Sequence, residues 1–112
     1  GRADDVIISA GWTMSAVEIE DVLLKHTAVD EAAVIGVPDE ERGQIVKAFI
    51  ITKSDEKTSL VKELQAFTRE RLSLHEYPRL IEFTDTLPKT PAGKVNRKIL
   101  RESTTEDNKR DI

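Results

Sequence analysis

Two apolar runs, separated by one polar turn, occupy the middle of the chain. Residues 32–37 form an uninterrupted apolar run that ends at Pro38, and residues 45–52 are rich in β-branched side chains. The polar turn between them covers residues 40–43. Short apolar runs bounded by turn residues predict buried strands. We therefore expect the core of the protein to be built around a sheet that contains both runs.

The segment before these runs predicts a hairpin followed by a helix. Residues 6–9 are typical of a short strand, and Gly11 permits a tight reversal after it. Ser15 and Glu18 have the spacing of a capping box, in which Ser15 is the N-cap of a helix. The apolar residues that follow at helical spacing are Ala16, Ile19, Val22 and Leu23.

The segment after the two runs predicts two further helices and a strand. Apolar residues line one face of a helix over 59–72, and residues 79–83 are typical of a third main strand. A loop over 84–93 leads into a final short helix. The order is hairpin, helix, two strands, helix, strand, helix. It predicts a small α+β fold, in which about three helices flank a mixed or antiparallel sheet with a short N-terminal hairpin.

Composition bounds both the domain organisation and the function classes. The 112 residues suffice for one domain, which we expect over 1–101, whereas the polar, aperiodic residues 102–112 predict a disordered tail. A formal net charge of -4 and an aromatic content of 4% argue against nucleic-acid binding. The sequence has no membrane-spanning run and no signal-peptide pattern, and a cytoplasmic location is the default expectation. Because cysteine is absent, disulfides and thiolate catalysis are excluded.

The strongest local signal for function is a basic segment near the end of the chain. Residues 87–101 contain no acidic side chain, and Lys94 follows Gly93 on a predicted turn. A Walker phosphate loop is excluded, because it requires glycine and a hydroxyl residue where this chain has Pro88 and Val95. The pattern predicts an anion site around a loop lysine, with Arg97 among the surrounding cations. A solvated basic turn is the alternative that the local pattern leaves open.

Other catalytic and metal-binding patterns are weak. His26 and His75 are isolated, and no spacing typical of a zinc site surrounds them. No Gly-x-Ser-x-Gly elbow is present, which argues against a serine hydrolase. Asp4 and Asp5 are adjacent, so on a strand their carboxylates would point to opposite faces rather than converge. We expect no metal site in this chain.

Four blocks of the sequence resemble one known family. They are GRADDVI at 1–7, SAGWTMSAVEIEDVLLKH at 9–26, EAAVIGVPDEERGQIVKAF at 31–49 and YPRLIEFTDTLPKTPAGKVNRKILR at 77–101. In this order and spacing they resemble the C-terminal domain of AMP-forming acyl-CoA synthetases, within the adenylate-forming superfamily. The first block, RGQIVKAF and the Tyr-Pro-Arg at 77–79 look most like the medium-chain branch.

The resemblance implies a ligase with two half-reactions. Such enzymes activate a carboxylic or fatty acid with ATP and Mg²⁺ to an acyl-adenylate, and then transfer the acyl group to coenzyme A. A large N-terminal adenylating domain of the same chain holds the acid and most of the ATP, while the small domain moves between two poses. This chain resembles only the small domain, so we expect it to be a fragment that is inactive alone.

The resemblance also implies roles for particular residues near the nucleotide. Lys94 matches the lysine of the adenylation step, in which a carboxylate attacks the α-phosphorus; a cation that bridges the two anions would stabilise that transition state. Asp4 matches the hinge between the domains. Arg2 matches an arginine close to the nucleotide. The sequence begins at this hinge block, without a methionine.

A second group of residues is implied in coenzyme A binding. Ala10, Gly11 and Trp12 match the turn past which the family threads the pantetheine arm, where glycine permits close approach and the ring supplies an apolar wall. Arg42 matches a position that contacts coenzyme A phosphates, for which a guanidinium is suited. Tyr77 matches a tyrosine near the same ligand. Surface packing is the alternative role for the two aromatic residues.

Two departures from the family and two alternative functions accompany this interpretation. Thr13 stands where the family usually has an arginine, and Glu76 stands where it often has a lysine, which puts the geometry of thioester formation in question. One alternative function is that of an aryl-acid ligase, or of an adenylating domain that loads a carrier protein. The other is a non-catalytic binding module with the same fold.

Overall fold

The structure is a computed structural model that describes residues 6–72 and 76–110, with side chains described through residue 103 in the second segment. Its elements are β1 (Val6–Ser9), β2 (Trp12–Ser15), α1 (Ala16–Leu23), β3 (Glu31–Asp39), β4 (Gly43–Ile51), α2 (Lys57–Arg71), β5 (Leu80–Phe83) and α3 (Arg97–Arg110). The α+β class and the order of elements predicted from the sequence are confirmed.

The strands form two sheets. β1 and β2 pair as an antiparallel hairpin, from Val6 opposite Ser15 to Ser9 opposite Trp12. The larger sheet has the order β3-β4-β5, in which β3 and β4 are antiparallel whereas β4 and β5 are parallel. Two parallel strands need a long crossover, and α2 provides it. The mixed sheet of the prediction therefore arises from one hairpin and one crossover.

Both faces of the three-stranded sheet are buried, which explains the uninterrupted apolar run in β3. Alternate residues of that strand enter different clusters, since Val34 packs with α1 and α2 while Ala33 and Ile35 pack on the opposite face. The opposite face is covered by Leu87, from the loop before α3, and by Leu100 of α3. The loop and helix that follow β5 are thereby fixed against the sheet.

The start of α1 agrees with its sequence signal. Ser15 has an extended backbone, and its Oγ accepts a hydrogen bond from the Glu18 amide at 3.3 Å. The side chain thus satisfies one of the amides that the first helical turn leaves without an intrahelical partner. The N-cap prediction is confirmed.

The last helix differs from its prediction. A short helix and a disordered tail over 102–112 were expected, whereas α3 continues to Arg110. No glycine or proline follows Gly93 in the sequence, so no residue that strongly disfavours helix interrupts this segment. Polarity without apolar periodicity therefore did not predict the length of this helix. In the part of the chain that is described, no helix is long and apolar enough to cross a membrane.

Candidate functional site

Lys94 lies on a closed, hydrogen-bonded turn. The Gly93 amide donates to the Thr90 carbonyl at 2.8 Å, and the Thr90 amide donates to the Lys94 carbonyl at 2.7 Å. Gly93 has a φ of +82°, a conformation that a glycine adopts without strain. The Lys94 side chain is exposed and has no ion pair with any residue that the structure describes. The turn therefore presents an unneutralised ammonium group to solvent, where it could meet an anion.

The turn has two arms, a first around Lys89 and a second around Val95. The first arm is attached to the beginning of β3. Lys89 Nζ lies 2.7 Å from Glu31 Oε1, and Glu31 is the first residue of that strand. Lys89 also forms an isolated antiparallel bridge with Val95, which joins the two arms of the turn. The Asn96 amide donates to the Pro88 carbonyl at 2.8 Å and continues this pairing toward α3.

The second arm ends at a buried ion pair that sequence reasoning missed. Arg97 begins α3, and its Nε and Nη2 donate to the two oxygens of Glu20 at 3.1 and 2.5 Å. Glu20 Oε2 also accepts the Val34 amide at 2.8 Å. Arg97 was counted among the cations around Lys94, but Glu20 neutralises it. The sequence does contain a signal that Glu20 is buried. Glu20 lies four residues after Ala16 and so falls on the apolar face of α1.

A second group of candidate residues lies at the other end of the sheet, beginning with the turn of the first hairpin. Ala10 and Gly11 have φ values of +50° and +84°, as a two-residue hairpin turn with both central residues left-handed requires. The Ala10 amide donates to the Arg42 carbonyl at 2.8 Å, which joins this turn to the one between β3 and β4. Trp12 follows with 54% of its surface exposed.

Arg42 lies in a turn whose backbone is held by neighbouring side chains. Asp39 Oδ2 accepts the Arg42 amide at 3.0 Å. Two residues later, Gln44 Oε1 accepts the Ile8 amide at 2.9 Å and so ties β1 to β4. The guanidinium of Arg42 is half-buried and has no ion pair with the residues described. The structure thus brings the sequence-predicted Arg42 next to the hairpin turn.

The Tyr77 ring is close to two arginines that sequence reasoning did not assign to the site. The Arg69 guanidinium is 4.3 Å from the centre of the Tyr77 ring, and that of Arg79 is 5.0 Å away. Gln65 Nε2 on α2 donates to the Pro78 carbonyl at 3.0 Å and holds this segment against the helix. Arg79 is visible as the third residue of Tyr-Pro-Arg, whereas only the tertiary structure brings Arg69 to the ring.

The two groups of residues are attached to opposite ends of the central sheet. Asp39 and Gly43 pair at the end of β3, and β5 enters the sheet at this end because the Arg79 amide donates to the Val46 carbonyl at 3.0 Å. The anchor of the Lys94 turn is at Glu31, eight residues earlier on β3. At about 3.4 Å per residue, the two ends are roughly 27 Å apart.

Comparison with known proteins identifies the family. The AMP-binding enzyme C-terminal domain matches residues 18–94. This chain belongs to that family. The mitochondrial acyl-coenzyme A synthetase ACSM4 of Rattus norvegicus is 45% identical over 106 residues, which are 91% of this chain and 18% of the relative.

Solved structures give the same result. An acyl-CoA synthetase of Brucella canis superposes with a TM-score of 0.90 and 48% identity, over 96% of this chain and 20% of the other. The anthranilate CoA ligase AuaEII, in complex with anthranoyl-AMP, superposes with a TM-score of 0.83 and 41% identity, over 92% and 20%. The chain spans about a fifth of the length of these relatives.

Arg2, Asp4 and His75 lie outside the described residues. Thr13 is exposed on β2, opposite Ile8.

His26 has structural contacts that account for its position. Its Nε2 lies 3.1 Å from Glu63 Oε2, and its Nδ1 accepts the Ala28 amide at 3.1 Å. Its ring also packs edge-on against Phe67 of α2, with the ring centroids 5.0 Å apart. Within the described ranges, no three His, Asp or Glu side chains are grouped so that they could hold a metal ion.

Proposed function

We propose that this chain is the mobile C-terminal domain of an AMP-forming acyl-CoA synthetase. The whole enzyme would activate a fatty or other simple carboxylic acid with ATP and then pass the acyl group to coenzyme A. The observation that carries the proposal is the separation of two cation-bearing groups, each attached to a different end of one rigid sheet. A domain that serves two half-reactions in turn needs two such surfaces. The acyl-CoA synthetase relatives support the same function.

In the first half-reaction, Lys94 would stabilise the charge that builds as a carboxylate attacks the α-phosphate. Its ammonium is exposed on a turn whose backbone is held by hydrogen bonds, so the point at which the side chain is attached is fixed before the group enters a cleft. Charge donors aimed at a transition state contribute about 10²–10³ in rate in other enzymes. We assign the same order of magnitude to Lys94.

In the second half-reaction, the opposite end of the sheet would receive coenzyme A. The side chains of the Ala10-Gly11 turn are small, so the pantetheine arm could pass close to its backbone. The exposed ring of Trp12 would form an apolar wall beside it. Arg42 would contact a phosphate, and the pair of arginines around Tyr77 adds positive charge at the same end of the sheet. These cations would supply positive charge in place of the arginine that the family usually has where this chain has Thr13.

The remaining parts of the enzyme would come from an N-terminal adenylating domain of the same polypeptide. That domain would bind the acid together with ATP and its Mg²⁺, while Asp4 would act as the hinge and Arg2 would approach the nucleotide. The isolated chain would then be inactive. We also propose a cytoplasmic location, although the curated relative from Rattus norvegicus is mitochondrial by name.

An aryl acid is the second candidate substrate class. The similarity to an anthranilate CoA ligase supports it, since that protein has 41% identity to this chain. The resemblance of RGQIVKAF and Tyr-Pro-Arg to the medium-chain branch favours a fatty acid instead. A panel of medium-chain and aromatic acids, tested on the full-length protein, would separate the two by their relative kcat/KM values.

The decisive experiment is Lys94→Ala in the full-length protein, with both half-reactions measured separately. Pyrophosphate exchange should fall by about 10²–10³, while thioester formation from supplied acyl-adenylate should change little. Lys98→Ala is the matched control, because Lys98 is also an exposed lysine and lies four residues further along. Equal losses in both half-reactions, or an equal loss in the control, would remove Lys94 from this role.

A further inference from the structure

Glu20 is a buried acid in a chain whose other carboxylates are mostly exposed. Only 10% of its side-chain surface and 13% of that of Arg97 are accessible. Its two oxygens accept the Nε and Nη2 groups of Arg97 as a fork, and Oε2 also accepts the Val34 amide. An ionised carboxylate and a guanidinium in this side-on geometry form one of the strongest pairings that side chains make.

The position of Val34 explains part of this arrangement. β3 is one of the two edge strands of the three-stranded sheet, so every second amide of the strand faces away from β4. The Val34 amide is one of these, and α1 delivers the Glu20 carboxylate to it. The same carboxylate then holds Arg97, so one side chain joins α1, the edge of β3 and the first residue of α3.

This junction is directly connected to the turn that carries Lys94. Arg97 is three residues after Lys94, and between them the Asn96 amide is bonded to the Pro88 carbonyl on the other arm. The first arm is held separately by Lys89 and Glu31, a pair in which both side chains are at least 40% exposed. An exposed pair contributes little, whereas a buried pair resists displacement because separation would leave a desolvated charge.

We propose that Glu20 is a positioning residue for Lys94: by holding Arg97 against the edge of β3, its carboxylate fixes the second arm of the Lys94 turn. The kinetic consequence rests on the proposed function, because it requires Lys94 to act in adenylation. The structural consequence does not. Loss of the carboxylate should loosen the turn whether or not the chain belongs to a ligase.

The first test is amide hydrogen exchange on this 112-residue chain with Glu20→Gln. The substitution keeps the side-chain length and an oxygen for Val34 but removes the charge that holds Arg97. Exchange at the Thr90, Gly93 and Asn96 amides should accelerate by at least about tenfold, while the amides of β4 keep their protection. Glu63→Gln is the control, since it removes a carboxylate that pairs with His26 instead. Unchanged exchange in the turn, or an equal acceleration in β4, would overturn the proposal.

The second test asks whether Glu20 acts through Arg97. In the double variant Glu20→Gln/Arg97→Gln, no buried guanidinium is left unpaired, so the turn should exchange no faster than in Glu20→Gln alone. Independent, additive effects of the two substitutions would contradict a mechanism through the pair.

The third test is kinetic and uses the full-length protein. Glu20→Gln should lower the kcat of pyrophosphate exchange by roughly tenfold or more, with thioester formation from supplied acyl-adenylate unchanged. A loss in both half-reactions would indicate general destabilisation and refute positioning. Intact adenylation in Lys94→Ala would instead refute the proposed function and leave the exchange result as an independent test.

Discussion

Gly36 provides a test of how the first hairpin is fixed to the central sheet. A Cβ added at this position would lie 3.0 Å from Ile7 Cγ2 and 3.1 Å from both Cδ and Nε2 of Gln44. Carbon atoms in contact normally lie about 3.5–4.0 Å apart, so the overlap is roughly 0.5 Å. Ile7 is 2% exposed and cannot move into solvent. Gln44 is held by its hydrogen bond to the Ile8 amide.

Two opposing effects determine the stability of Gly36→Ala. Removing a glycine restricts the unfolded chain and would stabilise the protein by about 0.4–1 kcal/mol if the added methyl group fitted. Forcing a methyl group into a packed site costs about 1–3 kcal/mol. Since neither neighbour can yield freely, the second effect should prevail. We expect a net destabilisation of about 1 kcal/mol, or a fall of roughly 4 °C in Tm.

Urea unfolding of the 112-residue chain measures this change. Gly36→Ala should lower the midpoint while the m-value stays constant. In a Gln44→Ala background two of the three close contacts are gone, so the same substitution should cost at least about 0.5 kcal/mol less. A higher free energy of unfolding in Gly36→Ala, or an identical cost in both backgrounds, would refute this explanation of the hairpin contact.

Two further substitutions test the coenzyme site and the core. In the full-length protein, Arg42→Ala should raise the KM for coenzyme A by about tenfold with little change for ATP, since a lost bond to a charged group is worth about 1.5–3 kcal/mol; the backbone bond from Ala10 to this residue is retained. Arg71→Ala is its control, and an unchanged KM for coenzyme A in Arg42→Ala would exclude the phosphate contact. Leu64→Ala should lower the free energy of unfolding by about 2–5 kcal/mol, because Leu64 is fully buried. Leu24→Ala, at a position 47% exposed, should cost much less, and equal costs would contradict the assigned core.

The elements of the fold were largely predictable because their signals are local. The run over 32–37 was recognised as a buried strand without knowledge of what covers it, since both faces of that strand are apolar. Ser15 identified the start of α1, because its capping hydrogen bond joins residues only three positions apart in the sequence. The length of the helix after Lys94 was underestimated, because its sequence beyond Leu100 is polar and carries no apolar pattern that marks where the helix ends.

The candidate site was predictable only in part. The turn that presents Lys94 could be inferred from Gly93 and its neighbours, since the two backbone hydrogen bonds between Thr90 and the Gly93-Lys94 pair join residues at most four positions apart. The resemblance to a known family supplied the roles of Arg42 and Tyr77, but no local pattern indicated that Arg69 would lie over the tyrosine ring. That contact depends on how α2 packs beside the segment before β5.

The sequence by itself therefore determined which segments form strands and helices, and which turn exposes a lysine. Tertiary structure decided what the charges do. Arg97 is one cation among several in the sequence, yet Glu20, 77 positions away, makes it a buried anchor rather than part of an exposed basic surface. The physical reason is that the effect of a charge depends on its desolvation and its partner, and both are determined only when distant segments pack together.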